Sequence, residues 1–460
     1  MLLMRLRFQQ QASETQMAAI ASYLPESQII TLSDSFPAFD NPDALNGFNT
    51  PVQLGFFFHE WIHFLHNVST YHGLSSFSLQ VVLWSNFRWT MNEMGVSIGS
   101  ETMDPEHILQ NKNFIQYLYS NRKRNFNDLP TQAQPDELSF TKAELIEHIE
   151  ADANVVNTSL IKCGFQHKGN TYTANIGTLE IIESVAFMLE SKLVSNMNGV
   201  PEMAPICPYH LVECLSRGIA PSLDEINIIC CMLISLQSND PPQLLLMLLK
   251  DIESLIESDR HDALISYAKN HLISLSDIID SQLNQIRSIF PIDEPMGVFI
   301  RSTLDRIESN IDYRKQDPFF ELSIIDEISK DPKNFDSLIS RYGGCSVIQK
   351  RLGADDQVLR DVMYDIIVPD HDDTKSLGWK MAHASFKFVM SHFNLLGEIR
   401  QTESLNYKCP FYTVCNSSLR ITHSNICAVS PWQSRHLENN HDCYYSGAIK
   451  ATSPPPEVQI

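Results

Sequence analysis

The sequence predicts a predominantly helical α+β fold, on three observations. Glycine occupies only 17 of 460 positions, well below its average share of about 7%, and this scarcity favours helices over turn-rich β architecture. Two short N-terminal stretches, MRLRFQQQ and SQIITLSD, alternate polar and apolar residues as strands do. From Leu54 onward, apolar residues recur with a helical period. We therefore expect a short sheet followed by a larger helical region.

The remaining elements can be predicted in order along the chain. Residues 127–137, NDLPTQAQPDE, are polar and contain prolines, which predicts a surface loop. The following stretch, KAELIEHIEADANVV (142–156), predicts an acidic helix. Residues 177–199 have helical apolar spacing, and we expect this helix to begin with Thr178 as its N-cap and to end at Gly199. Residues 221–290 predict successive amphipathic helices, interrupted by SNDPP.

These patterns predict three modules. Residues 1–203 contain the predicted sheet and the first long helices, and residues 204–400 are expected to be entirely helical. Residues 401–460 differ in composition, with four cysteines, several histidines and a proline-rich end, SPPPE, that we expect to be disordered.

The charge and cysteine content narrow the functional classes. The chain has 34 lysines and arginines against 55 aspartates and glutamates, a net charge of −21, and such a surface repels nucleic acids and anionic membranes. No apolar stretch reaches the 18 or so residues that span a bilayer, and the N-terminus lacks the features of a signal peptide. The ten cysteines then fit a soluble protein of the reducing cytoplasm.

Residues 55–67, GFFFHEWIHFLHN, place three histidines and a glutamate among bulky apolar residues. Burial of a polar group without a partner costs about 1–3 kcal/mol. Such a cluster therefore predicts either a bound metal ion or a hydrogen-bond network inside a core helix.

Helical geometry favours the metal ion. Each residue of an α-helix advances by about 100°, which places His59, His63, His66 and Thr70 within roughly a 60° arc, with Glu60 at its edge. Two imidazoles one turn apart can bind the same ion.

His59, Glu60, Trp61, Ile62 and His63 form an H-E-x-x-H motif, and in this the chain resembles the zincin metallopeptidases. The resemblance implies a zinc ion bound by both histidines, with Glu60 as the general base that activates water. It also implies a zincin-like unit, in which the motif helix lies beneath a short sheet whose exposed edge receives the peptide substrate as an added strand.

The third zinc ligand is expected elsewhere in the chain. The metzincin extension is absent, since His66 and Ser69 occupy its glycine and third-histidine positions. In gluzincins the ligand is a glutamate on a downstream helix, and the stretch ESVAFMLE makes Glu183 our preferred residue. Glu150 and Glu180 are the alternatives.

Several other residues are weaker candidates. Glu180, Glu183 and Glu190 share a helical face of about 80°, with the small Ala186 beside it; the alternative is that this face is a solvated one. His66 is assigned either to second-shell or substrate contact or to the packed core. An oxyanion needs a further hydrogen-bond donor, and the candidates are Tyr71, His72, Tyr209 and His210.

The C-terminal cysteines form a second group with possible metal chemistry. Cys409, Cys415, Cys427 and Cys443 have the spacing C-x5-C-x11-C-x15-C. A structural zinc ion or an iron–sulfur cluster would stabilise a small module of this kind, and free buried thiols are the alternative.

Together these features predict a cytoplasmic zinc metallopeptidase that cleaves protein or peptide substrates and is selective or regulated, with a possible regulatory protein partner. The alternative is a non-catalytic helical interaction or sensor protein in which metal has only a structural role.

Overall fold

The computed structural model describes residues 20–36, 48, 50–147, 158–351, 360–366, 373–438 and 440–453. Helices dominate these residues, as predicted, and two small sheets accompany them. The helices are α1 Pro51–Asn67, α2 Tyr71–Arg88, α3 Pro105–Ser120, α4 Thr178–Asn196, α5 Leu211–Ile219, α6 Glu225–Ser235, α7 Pro241–Glu253, α8 Glu257–Ser274, α9 Ser276–Arg287, α10 Pro295–Gln316, α11 Phe320–Lys330, α12 Asn334–Tyr342, α13 Asp373–His392, α14 Ser418–Thr422, α15 Ser424–Val429 and α16 Tyr444–Thr452. The strands are β1 Ala21–Leu24, β2 Ile29–Leu32, β3 Ser139–Glu147, β4 Ser159–His167, β5 Asn170–Ile176, β6 Ser346–Gln349 and β7 Val362–Asp365.

The first sheet has the strand order β1-β2-β6-β7 and joins distant parts of the chain. The β1–β2 and β6–β7 pairs are antiparallel, whereas β2 and β6 run parallel, with Ile30 opposite Val347. The second sheet, β3-β4-β5, is antiparallel throughout. The predicted strand in SQIITLSD is confirmed as β2, and the stretch MRLRFQQQ lies outside the described residues.

Helix α1 carries the histidine motif and is buried on most of its surface. It begins after Thr50, whose hydroxyl accepts a hydrogen bond from the Gln53 N–H, and Pro51 occupies the first turn, where its missing N–H costs nothing. Its aromatic residues pack against Phe335 of α12, and the Trp61 indole N–H donates to the Gly343 carbonyl at 3.0 Å. These contacts hold α1 in one rotation about its axis.

Helix α4 packs along α1, and its start differs from the predicted one. Gly177, not Thr178, is the N-cap, and the Glu180 carboxylate accepts from the Gly177 N–H at 2.9 Å. A carboxylate at the third helical position can satisfy a free N–H of the first turn, which removes the need for a threonine cap. The helix ends at Asn196, three residues before Gly199, whose N–H bonds to the Val194 carbonyl.

The two helices approach closely at Gly55. A Cβ atom at this position would lie 2.6 Å from Val194 Cγ2 and 3.3 Å from Glu190 Cγ. Real Cβ atoms are not found this near to other atoms, so glycine allows the backbone of α1 to lie against the side chains of α4. This contact lies one helical turn before His59 and sets the spacing of the two helices at the site.

The predicted acidic helix at residues 142–156 is wrong where the structure describes it. Residues 142–147 form part of strand β3 rather than an acidic helix, with Ala143 paired to Cys163 and Leu145 to Ile161. The composition of this stretch favours a helix, but backbone pairing with β4 overrides that preference. Residues 148–156, including Glu150, lie outside the described residues, as does the SPPPE end.

Other predictions agree with the structure. Residues 127–137 form an irregular segment with one 3₁₀ turn, and residues 221–290 form the successive helices α6 to α9, with α7 beginning at Pro241 inside the SNDPP interruption. A continuous cluster of buried apolar side chains includes residues of all three predicted modules, among them Phe58, Leu249 and Tyr445. The module boundaries stay predictions, but the expectation that residues 204–400 are entirely helical is wrong. Strands β6 and β7 lie in this range, because pairing of β6 with β2 and β7 completes the first sheet. Among the described helices, none has the length and apolar character needed to cross a bilayer.

Candidate metal centre

Helices α1 and α4 bring His59, His63 and Glu183 together. Glu183 Oε2 lies 3.4 Å from His59 Nε2 and 3.5 Å from His63 Nε2. The two imidazole centroids are 4.6 Å apart and nearly perpendicular. Within the described part of the chain, this is the one group of three or more histidine, cysteine or acidic side chains whose donor atoms all lie within 4.8 Å of one another.

The spacing of the three donors fits a zinc ion. Ligand atoms about 2.1 Å from zinc at tetrahedral angles lie about 3.4 Å apart, close to the separations from Glu183 to the two histidines. The His59 and His63 side chains are only 7% and 10% exposed, whereas Glu183 is 22% exposed. The site is therefore enclosed on the α1 side and reachable from the side of Glu183.

Glu190 forms a hydrogen bond with the His59 ring nitrogen that does not face Glu183. Its Oε2 lies 2.9 Å from His59 Nδ1, in a buried hydrogen bond between α4 and α1. A carboxylate at this ring nitrogen fixes the orientation of a histidine and leaves the other nitrogen free to bind metal. Burial alone would lower the pKa of His59, but its hydrogen bonds to Glu183 and Glu190 outweigh burial and raise that pKa well above its usual value.

The charges of the cluster are strongly coupled. Burial opposes ionisation of Glu183, yet His63 and His59 outweigh it and hold the pKa of this carboxyl well below its usual range. Glu183 is thus an ionised carboxylate at neutral pH. His63 Nδ1 is buried and has no hydrogen-bond partner among the described residues.

Glu60 is the next residue of the motif, and it is buried beside the cluster. Burial raises the pKa of its carboxyl, against the opposing effect of His59 and His63. A carboxylate with a raised pKa is a better proton acceptor than an exposed one, which suits a general base.

Tyr209 approaches the cluster from the segment between α4 and α5. Its ring centroid lies 6.0 Å from that of His59 and 5.5 Å from that of Phe187. The Ser184 hydroxyl donates to the Pro208 carbonyl at 3.1 Å and so ties this segment to α4. Burial, together with the charges of Glu183 and Glu60, raises the pKa of Tyr209, so that its phenol keeps its proton and can donate a hydrogen bond.

His210 points into a different set of contacts. Its Nδ1 lies 2.8 Å from Glu213 Oε2, and its ring packs against Phe187 with centroids 4.8 Å apart. The structure therefore brings Tyr209, but not its neighbour, into ring contact with His59.

His66 belongs to a second buried cluster. Its Nε2 lies 3.6 Å from Glu321 Oε1, and Glu321 forms a fully buried ion pair with Arg314. The Arg314 guanidinium also donates to the carbonyl and hydroxyl of Ser69. Burial, helped by the Arg314 charge, lowers the pKa of His66 well below its usual value. This neutral histidine lies where α1 meets α10 and α11.

The remaining candidates lie in other contacts. Glu180 is fully buried, and its carboxylate accepts from the N–H groups of Gly177 and Asn125 and from the Asn125 side chain. Tyr71 receives a hydrogen bond from Asn239, and the backbone N–H of His72 donates to the Leu236 carbonyl. Tyr71 and His72 therefore both contact the segment that connects α6 to α7.

The four C-terminal cysteines line one cleft. All ten cysteines of the chain are free thiols. Burial raises the pKa of Cys427 to about 11 and that of Cys409 well above its usual value. The thiols of Cys409 and Cys427 are therefore protonated unless a metal ion displaces the proton.

Two features of the site were not recognised in the sequence. Gly55 sets the approach of α1 to α4, and the only signal was one glycine at the start of a run of bulky residues. The Arg314–Glu321 pair that surrounds His66 comes from helices more than 240 residues further along the chain, and no local pattern indicates it.

Comparison with protein-family models, curated proteins and solved structures finds no match to this chain.

Proposed function

We propose that this protein is a zinc-dependent peptidase in which His59, His63 and Glu183 hold the metal ion and Glu60 is the general base. The observation that carries the proposal is the convergence of three donor atoms from α1 and α4, in which the two histidine Nε2 atoms lie 3.4 and 3.5 Å from Glu183 Oε2. Two further residues complete the arrangement: Glu60, which follows His59 in the sequence, and Glu190, whose carboxylate bonds to His59 Nδ1.

Each residue has a distinct role in this proposal. Zinc, when bound, supplies a Lewis acid that polarises the peptide carbonyl and makes water more acidic. Glu60 accepts a proton from the attacking water and passes it to the leaving amine. Tyr209 donates a hydrogen bond to the carbonyl oxygen as that oxygen becomes negative, and Glu190 holds the His59 ring in place.

The first experiment measures zinc and peptide cleavage in the same preparations. Wild-type protein and the Glu60→Gln variant are assayed with a mixed peptide library, with new termini identified by mass spectrometry. We expect Glu60→Gln to keep its zinc and to lose about 10²- to 10⁴-fold of the cleavage rate. The exposed Glu202→Gln change is the matched control and should alter neither quantity.

The second experiment tests the ligands without reference to activity. The His59→Ala and Glu183→Ala variants should each lose most of their bound zinc after dialysis against a chelator that wild type withstands. If both variants retained zinc, the ion would be bound elsewhere in the protein. The proposal would then be abandoned.

A non-catalytic role is the second candidate, and one observation favours it. His59 already has a carboxylate at each ring nitrogen, so a network of this kind can stabilise the contact of α1 with α4 without any reaction. A metal-stabilised interaction or sensor protein would lose zinc and stability in His59→Ala. Its wild-type form would cleave no peptide, so the Glu60→Gln change would have no activity to remove.

A further inference from the structure

The four C-terminal cysteines come from separate segments and meet at one cleft. Cys409 and Cys415 lie in the irregular segment before α14, Cys427 lies in α15, and Cys443 precedes α16. The backbone joins two of them directly, since the Cys409 N–H donates to the Cys427 carbonyl at 2.8 Å. All four line one cleft that is partly open to solvent.

The spacing of the sulfur atoms argues against a single zinc ion. Four thiolates around zinc, each about 2.3 Å from the metal, lie about 3.8 Å from one another. Among the described residues, no three of these sulfurs lie within 4.8 Å of one another. In a cubane iron–sulfur cluster each sulfur binds a different iron, which places the four cysteine sulfurs farther apart around a larger core.

Backbone N–H groups already point at two of the sulfurs. The Ser417 N–H donates to Cys415 Sγ at 3.4 Å, and the Ser446 N–H donates to Cys443 Sγ at 3.5 Å. Hydrogen bonds of this kind stabilise the thiolate form and adjust the potential of cluster ligands. The second of these bonds also caps the N-terminus of α16.

A buried cation also faces the cleft. The Arg420 side chain is only 3% exposed, and its guanidinium donates to the Tyr412 carbonyl and the Ser424 hydroxyl. In a protein with a net charge of −21, a buried arginine beside four cysteines offsets the negative charge that four thiolates and a cluster carry together.

From these four observations we infer that Cys409, Cys415, Cys427 and Cys443 bind a cubane iron–sulfur cluster. The aromatic side chains of Phe411, Tyr412, Tyr444 and Tyr445 line the same cleft and would shield the cluster from water. This inference does not depend on the proposed peptidase site, because it uses different residues and a different metal.

The test uses the full chain, purified without oxygen and, where iron is lost, reconstituted with ferrous iron and sulfide. Iron, acid-labile sulfide and zinc are measured per chain, together with visible absorption and the electron paramagnetic resonance spectrum after reduction. We expect about four irons and four sulfides per chain, with the zinc at His59 and His63 counted separately.

Two variants assign the cluster to these cysteines. Cys427→Ala and Cys415→Ala should lose the visible absorption and bind iron only at background level. Cys415 is half-buried, so its variant is the safer one for folding, which is checked by thermal unfolding. The matched control is Cys163→Ala, which removes a fully buried thiol of β4 and should keep the cluster.

Three results would overturn the inference. One is a zinc ion that is lost in Cys427→Ala, since it would identify a single-ion thiolate site. Another is wild-type protein that takes up no sulfide on reconstitution. The third is iron that persists at the wild-type ratio in both cysteine variants. None of these results bears on whether Glu60→Gln abolishes peptide cleavage.

Discussion

His59 has a carboxylate at each of its ring nitrogens, and the two carboxylates differ in position. Glu190 lies 2.9 Å from Nδ1 in a buried contact, whereas Glu183 lies 3.4 Å from Nε2 on the more exposed side. In the proposed zinc-bound state, a proton held at Nδ1 by Glu190 would leave the Nε2 lone pair free for the ion. The first acid is therefore placed to orient the ring, and the second to share the proposed zinc ion.

This difference predicts the effect of Glu190→Gln. The amide can still accept the Nδ1 hydrogen bond but lacks the charge that strengthens it, and we expect zinc affinity to fall by about 10- to 100-fold. Competition with a chelator of known affinity measures the change, with Glu202→Gln as control. An affinity equal to that of wild type would show that Glu190 does not act on the metal ligand.

Glu180 is close to Glu183 in sequence, but we expect the opposite result for it. Glu180→Ala leaves the N–H groups of Gly177 and Asn125 without their acceptor, at a cost of about 1–3 kcal/mol of unfolding free energy. Its zinc content should equal that of wild type, whereas Glu183→Ala should lose zinc. Urea unfolding of the metal-free proteins and elemental analysis give the two quantities. A Glu180→Ala protein that lost zinc but kept its stability would contradict this assignment.

Helices α1 and α4 carry the whole candidate site, so its geometry depends on how closely they pack. Gly55 on α1 faces Val194 and Glu190 on α4, with no space for a Cβ atom. The same contact therefore controls both the stability of the helix pair and the position of Glu190 behind His59.

The close approach of the two helices predicts the effect of the Gly55→Ala change. The added methyl group must displace Val194 or part the helices, and we expect a loss of about 1–3 kcal/mol in unfolding free energy together with weaker zinc binding. Gly378→Ala in α13 is the matched control, because its Cβ would meet no atom nearer than 3.6 Å. Removing a helical glycine there should leave stability unchanged or raise it by about 0.5–1 kcal/mol. Equal effects of the two changes would refute the close-approach argument.

The molecule as a whole keeps several histidines neutral in its interior. Burial lowers the pKa of His72 to about 4 and that of His392 to about 3. His392 is fully buried, with Nδ1 2.7 Å from the Phe388 carbonyl and Nε2 2.8 Å from the Thr402 hydroxyl. The neutral ring can make both bonds, with Nδ1 donating to the carbonyl and Nε2 accepting from the hydroxyl.

A pH dependence of stability follows from these depressed pKa values. Below about pH 6.5 the unfolded chain binds protons that the folded protein excludes, so stability is complete above that pH and declines as the pH falls toward 3–4. We expect the free energy of unfolding to fall by about 2 kcal/mol for each such histidine at pH 5. Urea unfolding at several pH values measures it. The His392→Gln variant should have a shallower slope between pH 6.5 and 5, and the exposed His107→Gln variant should match wild type. Identical slopes for all three proteins would exclude His392 as a source of the pH dependence of stability.

The sequence by itself determined the features that depend on local geometry. The positions of His59 and His63 one turn apart follow from the helical period, and the same period predicts a face shared by Glu180, Glu183 and Glu190. Residues 221–290 are helical, as their apolar spacing predicts, because that spacing is what a helix needs to bury one side.

Only the tertiary structure decided which of these groups meet. Glu183 lies beside the histidines, Glu190 bonds to the far nitrogen of His59, and Glu180 caps its own helix. This sorting depends on how α4 packs against α1, including their close approach at Gly55. Residues 142–147 form a strand because β4 is available to pair with them. The cleft of four cysteines likewise depends on contacts between segments far apart in the chain, and interactions of this kind leave no periodic signal in the sequence.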